Sequence, residues 1–183
     1  MKIFAETKRL LLREITEDDI DGLFELDSNP EVHRFLGKQP IISKDQLKPI
    51  IAMIRQQYID NGIGRWAIED KLNGDFIGWT GLKFVTEEIN HHINYYDLGY
   101  RLIQKFWGKG IGTESALASV RYGFETINLN QIFGMCESGN VASKAILFKC
   151  NFQIANTFEY EGKEHCWFKI ERPHWLLMTK SHG

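Results

Sequence analysis

The chain has 183 residues, 43% hydrophobic and 25% charged, with a formal net charge of −2, and this composition predicts one globular domain over residues 1–183. The small net charge argues against nucleic acid or an anionic membrane as a partner, and no apolar run is long enough to span a bilayer. The three cysteines lack CxxC spacing and the N-terminus lacks the apolar region of a signal peptide, so we expect reduced thiols, no metal site and a cytoplasmic location.

The first half of the chain predicts two helices followed by three strands. Thr16 and a capping box over residues 43–46 open the two helices, and Pro49 is expected to kink the second helix or to mark its start. Alternating apolar residues then predict strands, with Asn73-Gly74 as a hairpin turn. The predicted elements are a strand at 8–15, helices at 16–29 and 43–58, and strands at 65–70, 75–85 and 95–102.

The second half opens on a glycine turn between a predicted strand and a predicted helix. Gly108, Gly110 and Gly112 alternate, and helical apolar spacing begins at Ile111. Glycines permit close approach of the backbone, and the free N–H groups of a helix N-terminus attract anions, so this pattern predicts a phosphate or pyrophosphate site. A strand at 131–136, a helix at 140–149 and a hairpin of 152–160 with 164–171 around Gly162 follow.

Three ligands and a ligand-free turn compete for this glycine loop. The spacing GxxxxGK of a P-loop is absent, and a dinucleotide-binding GxGxxG motif fails because Thr113 stands at the third glycine position. Coenzyme A is the third possibility. A turn without a ligand is the fourth, but three alternating glycines are costly at a helix entry.

Several motifs in order resemble the GNAT N-acetyltransferase superfamily, in particular its ribosomal-protein N-terminal acetyltransferase branch. The loop at 108–114 looks like that family's pyrophosphate loop, and residues 7–13, 77–82, 97–102, 140–145 and 151–152 resemble its strands and late helix. The resemblance covers about residues 7–172. It implies a mixed α/β (α+β) fold with a mostly antiparallel sheet, flanking helices and a splayed pair of central strands.

The resemblance also implies which residues bind acetyl-CoA as co-substrate. Backbone groups near the end of the fourth family strand would hold the pantetheine arm, and the glycine loop the pyrophosphate. Lys109, Lys144 and Lys149 could meet the 3′-phosphate. The expected acetyl-CoA contacts are Leu102, Ile103, Trp107, Gly108, Lys109, Gly110, Ile111, Gly112, Thr113, Asn140 and Ser143.

Amide formation from a thioester needs a neutral amine and a protonated leaving thiolate. Asp97 stands where the branch usually has Glu and is the first choice as general base; a structural role for this carboxylate is the alternative. Glu69 is the reserve base. Ser143 is the expected thiol-protonating group, directly or through water; the alternative is a local hydrogen-bonding role, which is common for serine at the third position of a helix such as the one that Asn140 is expected to cap. Phe148 is taken to occupy the position where many relatives have a tyrosine acid.

These features predict an acetyl-CoA-dependent N-acetyltransferase acting on a protein N-terminus or a small amine. A non-catalytic CoA-binding sensor or interaction module is the alternative. Acceptor specificity is expected to lie in the first two helices and the loop at 86–94. The neighbouring His91 and His92 are expected to be solvated because no third metal ligand has usable spacing. A homodimer is a further expectation.

Overall fold

The computed structural model describes residues 1–37 and 39–180 and contains one eight-stranded sheet in the order β1-β2-β3-β4-β5-β6-β8-β7. Every neighbouring pair is antiparallel except β5 with β6. The strands are β1 Ile3–Glu6, β2 Leu10–Glu14, β3 Arg65–Asp70, β4 Phe76–Val85, β5 Tyr95–Leu102, β6 Gln131–Glu137, β7 Gln153–Tyr160 and β8 Lys163–Glu171. The helices are α1 Ile20–Asp27, α2 Pro30–His33, α3 Leu47–Asn61, α4 Ile111–Arg121, α5 Val141–Lys149 and α6 Arg172–Lys180.

Helices cover both faces of the sheet. On one face, α1 and α3 bury Leu23 and Ile51 against Ala67 of β3; we call this the α1–α3 face. On the other, α4 and α5 bury Val120 and Leu147 in the main core, and we call this the α4–α5 face. Successive residues of a strand point to opposite faces, so β5 supplies a side chain alternately to each. Within the described ranges, no helix has the length and apolar character that crossing a membrane requires.

The parallel strands β5 and β6 separate over most of their length. Their only register pair is Asp97 with Phe133, whereas β5 pairs with β4 from Tyr95 to Leu102. The edge of β5 beyond Asp97 therefore has no neighbouring strand on the β6 side, and we call this opening the β5–β6 gap. The expected mixed sheet with a splayed central pair is confirmed.

Local sequence signals account for most element boundaries. The capping box at residues 43–46 is present, and Pro49 falls in the first turn of α3, where backbone N–H groups have no intrahelical acceptor, so the helix accommodates it. Asn151 ends α5 in the left-handed conformation, with φ 67°. The sequence analysis did not predict β1, α2 or α6. Strand β1 is only four residues long, α2 is one turn opened by Asn29, and α6 directly follows β8.

Candidate active site at the β5–β6 gap

The glycine loop lies directly before the N-terminus of α4. Gly108 and Gly110 have φ of 72° and 76°, a left-handed conformation that favours glycine. A Cβ at Gly108 would meet no atom within 4 Å, so the space above the loop is open. Backbone N–H groups of the first turn of α4 have no intrahelical acceptor and face this space. The loop therefore fits an anionic ligand such as a pyrophosphate.

Gly112, the third glycine, has a different role from the other two. It lies inside α4, and a Cβ there would approach the Cδ1 atom of Ile146 on α5 to 2.8 Å. The missing side chain lets α4 and α5 approach closely. This contact packs the first turn of α4 against the second half of α5.

A cation next to the glycine loop was missed by the sequence analysis. Arg9, in the β1–β2 turn, donates a hydrogen bond to the carbonyl of Lys109 at 3.1 Å and pairs with Glu114 of α4 at 2.6 Å. The Thr7 hydroxyl also donates to Glu114, at 2.6 Å. The sequence does not predict contacts between residues about 100 positions apart, so only the fold could reveal these interactions between the first hairpin and the glycine loop.

The end of β5 is tied to the loop by Trp107. Its indole Nε1 donates to the carbonyl of Leu102 at 2.8 Å, while its ring stays 44% exposed. The N–H of Ile103 donates to Ile77 at 2.9 Å. These two backbone groups thus already have protein partners, whereas the edge of β5 between Asp97 and Leu102 that faces the gap has no neighbouring strand.

Helix α5 presents Ser143 to the α4–α5 side of the gap. Asn140 caps the helix by accepting a hydrogen bond from the Ser143 N–H at 3.0 Å. The Ser143 hydroxyl lies 3.0 Å from the hydroxyl of Tyr100 on β5 and is close enough to the thiol of Cys136 on β6 to affect the pKa of that thiol. Burial raises the pKa of Cys136 to about 11, and the hydrogen bond from Ser143 acts in the opposite direction. Ser143 therefore bridges the two separated strands.

Phe148 is not placed against the gap, which corrects the sequence-based interpretation. Its ring is 51% exposed and contacts Phe168 on β8 at a centroid distance of 5.5 Å. Leu147 is the buried residue that faces the sheet, next to Gly134 of β6. The hydroxyl that the sequence analysis missed is Tyr100, whose place on the same strand face as Leu98 was the only available signal.

Asp97 lies on the α1–α3 side of the gap, opposite Ser143. Arg65 reaches across β4 and pairs with its Oδ2 at 2.5 Å, and also donates to its backbone carbonyl at 2.8 Å. Burial raises the pKa of Asp97 above its usual value, while the charge and hydrogen bond of Arg65 and the charge of Lys83 act to lower it. A carboxyl with a raised pKa is closer to the proton affinity that a general base needs near neutral pH.

Glu69 is not brought to the gap. It lies on β3, two strands from β5, and its carboxylate accepts from Arg13 at 2.6 Å. Lys109 is exposed, with its ammonium 5.4 Å from the centre of the Phe106 ring. His91 is exposed as expected, but His92 is not solvated: it packs against Phe133 and Trp167 in an aromatic cluster. Among the described residues, no three or more potential metal ligands lie together.

Three kinds of comparison with known proteins agree. A family model described as an acetyltransferase (GNAT) domain matches residues 9–153. The uncharacterized N-acetyltransferase YoaA of Bacillus subtilis (strain 168) is 31% identical over 148 residues, 81% of each chain. Two solved structures share the fold: spermidine N-acetyltransferase from Vibrio cholerae in complex with CoA and spermine, at 20% identity, and RimL, a ribosomal alpha-N-protein acetyltransferase in complex with coenzyme A, at 18%. Their TM-scores are 0.74 and 0.78, and they cover 93% and 94% of this chain and 99% of their own.

Proposed function

The chain belongs to the acetyltransferase (GNAT) family and is an acetyl-CoA-dependent N-acetyltransferase, and from this premise we propose how its residues divide the reaction. The glycine loop and the start of α4 bind the pyrophosphate of acetyl-CoA. The free edge of β5 takes the pantetheine arm, so that the thioester lies in the β5–β6 gap. The observation that carries this proposal is the left-handed glycine turn directly before α4: Gly108 has open space, and a Cβ at Gly110 would have the guanidinium of Arg9 within van der Waals contact.

Asp97 and Ser143 are suited to the two proton-handling roles because they lie on opposite sides of the gap. The amine approaches from the α1–α3 face, and Asp97 accepts its proton, directly or through a water molecule. The nitrogen attacks the thioester carbonyl, a C–N bond forms, the C–S bond breaks and its electron pair stays on sulfur. The Ser143 hydroxyl then gives its proton to that sulfur from the α4–α5 side and is reprotonated from water, while Asp97 releases the amine proton to solvent, so that both groups return to their starting state. Glu69 is a weaker choice as base because Arg13 occupies its carboxylate away from the gap.

The acceptor class we propose is a primary amine, either a protein N-terminus or a small molecule. The names of structurally similar proteins support both: one acts on spermidine and the other on a ribosomal protein. A non-catalytic CoA-binding module has no support among these matches. Folding as a single domain over the whole chain, a homodimeric state and a cytoplasmic location stay predictions, which limited proteolysis, sedimentation and cell fractionation would check.

One experiment tests the CoA loop and the activity together. Acetyl-CoA is mixed with spermidine and with peptides that carry different N-terminal residues, and release of the CoA thiol is followed. Gly110→Val should weaken CoA binding at least tenfold in calorimetry, because a branched side chain fills the pyrophosphate space and strains the turn. Gly74→Val is the matched control: Gly74 has the same φ of 76° and open space, but lies in the β3–β4 turn.

The control should lose stability without losing CoA affinity. Wild-type affinity in a folded Gly110→Val variant would show that the pyrophosphate binds elsewhere. Tight CoA binding without thiol release for any amine would instead favour the non-catalytic module.

A further inference from the structure

Two hydroxyl groups meet at the α4–α5 side of the gap. The phenol oxygen of Tyr100 lies 3.0 Å from the backbone carbonyl oxygen of Ser143 and 3.0 Å from its Oγ atom. The two residues come from different elements, β5 and α5, and are 43 positions apart in the chain. Both acceptors belong to one residue, so a rotation of the Tyr100 O–H bond is enough to change which one receives its proton.

The hydroxyl protons of Tyr100 and Ser143 have two possible hydrogen-bonding arrangements. A backbone carbonyl can only accept, so when Tyr100 donates to it, the phenol oxygen is free to accept from the Ser143 hydroxyl. When Tyr100 donates to Ser143 Oγ instead, the Ser143 proton is free to point to another acceptor, either the sulfur of Cys136 on β6 or a sulfur atom in the gap. In this second arrangement, Ser143 is able to donate its proton to a sulfur atom in the gap.

We propose that Tyr100 is a positioning residue that turns the Ser143 hydroxyl toward the departing CoA sulfur and strengthens it as a donor. This inference rests on the proposed role of Ser143. A hydroxyl that accepts one hydrogen bond becomes a better donor of another, because each bond polarises the next. As the C–S bond breaks and charge collects on sulfur, Tyr100 donates to Oγ and Ser143 donates to the thiolate. No proton has to leave Tyr100.

The surroundings keep Tyr100 in the protonated form that this role needs. Burial raises the pKa of Tyr100 well above its usual value, and the hydrogen bond with Ser143 only partly opposes this effect. The ring packs against the main core with Leu98 and Leu102, its neighbours on the same face of β5. The phenol is therefore a fixed donor across the pH range in which a CoA thiol ionises.

The test measures the bound CoA thiol itself and needs no amine acceptor. CoA that carries an isotope label on the carbon next to sulfur is bound to the protein, and its NMR shift is followed against pH to give the thiol pKa. In the wild type we expect this pKa to lie below that of free CoA. Tyr100→Phe should raise the pKa of the bound thiol. The acid dissociation constant should fall about tenfold, which corresponds to the loss of one neutral hydrogen bond. Ser143→Ala should lower it at least as much.

A double variant separates a positioning role from a structural one. If Tyr100 acts through Ser143, adding Tyr100→Phe to Ser143→Ala should change nothing further, whereas additive effects would overturn the proposal. Tyr96→Phe is the matched control, since Tyr96 lies on the same strand and face and packs against Phe84. Tyr96→Phe should leave the pKa of the bound CoA thiol at the wild-type value.

The outcomes also separate this inference from the function it rests on. A bound-thiol pKa equal to the wild-type value in Tyr100→Phe overturns the role of Tyr100 alone, provided that Ser143→Ala still raises that pKa. No response in Ser143→Ala overturns the role of Ser143 at the sulfur, and absence of CoA binding overturns the site. If Tyr100→Phe does not fold, meta-fluorotyrosine at this position retains the hydroxyl as a stronger donor; it should hold the thiol pKa at or below the wild-type value, and a rise would contradict the proposal.

Discussion

Arg65 acts to lower the pKa of Asp97. Its guanidinium fits beside this carboxylate only because Gly99 lacks a side chain. Arg65, Gly81 and Gly99 face one another across β3, β4 and β5. The guanidinium lies over Gly99, where a Cβ would approach its Cζ atom to 2.6 Å. It also stacks on Trp79, 5.3 Å from the ring centre. The proposed base is thus held by a cation whose own position is fixed by packing.

Replacing Arg65 should move the pH dependence of turnover. Burial already raises the pKa of Asp97, and Arg65 acts to lower it, so Arg65→Gln should raise this pKa further. A base must be deprotonated to act, and the acidic limb of kcat should therefore shift to higher pH. Asp97→Asn should remove the limb and lower kcat at neutral pH at least 100-fold, with little effect on CoA binding.

Arg55→Gln serves as the control for the loss of an arginine, because Arg55 lies on α3 and donates to the carbonyl of Ile15. Its acidic limb should match that of the wild type. An unmoved limb in Arg65→Gln, or full activity in Asp97→Asn, would mean that Asp97 only supports the sheet.

Two of the three alternating glycines form the turn before α4, and the third lets α4 pack closely against α5. The sequence alone could not distinguish these two roles. Glycine spacing before a helical pattern predicted an anion-binding turn at Gly108 and Gly110; both residues have the left-handed conformation of a glycine turn, and the anion-binding role stays a prediction. The spacing also suggested the same role for Gly112, whose neighbour Ile146 comes from a helix 34 positions later. A contact between helices depends on how they pack on the sheet, and local spacing carries no record of it.

Substituting Gly112 should therefore reverse the usual effect of replacing a helical glycine. Glycine to alanine normally stabilises a helix by about 1 kcal/mol, but here the new Cβ meets Ile146 Cδ1 at 2.8 Å. We expect Gly112→Ala to destabilise the chain by roughly 1–3 kcal/mol in urea unfolding. Ile146→Val deletes that Cδ1 atom and should recover most of the loss. Equal losses with and without Ile146→Val would contradict this explanation.

The cap of α5 gives a second prediction about an element. Asn140 accepts from the Ser143 N–H, so Asn140→Ala should cost about 1 kcal/mol, whereas Asn140→Asp retains an acceptor and should stay close to the wild type. Thermal unfolding of the two variants measures the difference. A comparable loss in Asn140→Asp would show that the amide nitrogen, not the cap, stabilises this turn.

Across the whole molecule, the sequence predicted the strands better than their long-range contacts. The predicted bounds of β3 and β5 match the observed strands, Arg65–Asp70 and Tyr95–Leu102. The pairs Tyr100–Ser143, Arg65–Asp97 and Arg9–Glu114 were not predicted. Each joins residues 32 to 105 positions apart, and each depends on the order of strands in the sheet. The site is thus a property of the topology, although its residue types were visible beforehand.

Because the proposed CoA site takes residues from β5, the glycine loop and α5, CoA should stabilise these parts of the chain together. At a concentration 100 times its dissociation constant, a ligand adds about 2.7 kcal/mol. For a chain of this size that corresponds to a rise in Tm of roughly 5–10 °C. Hydrogen exchange should slow at 98–102, 108–113 and 140–144 at once, while α3, which packs on the other face, serves as the internal control. Protection confined to 108–113 would mean that CoA touches only the loop, and that the β5–β6 gap does not hold its pantetheine arm.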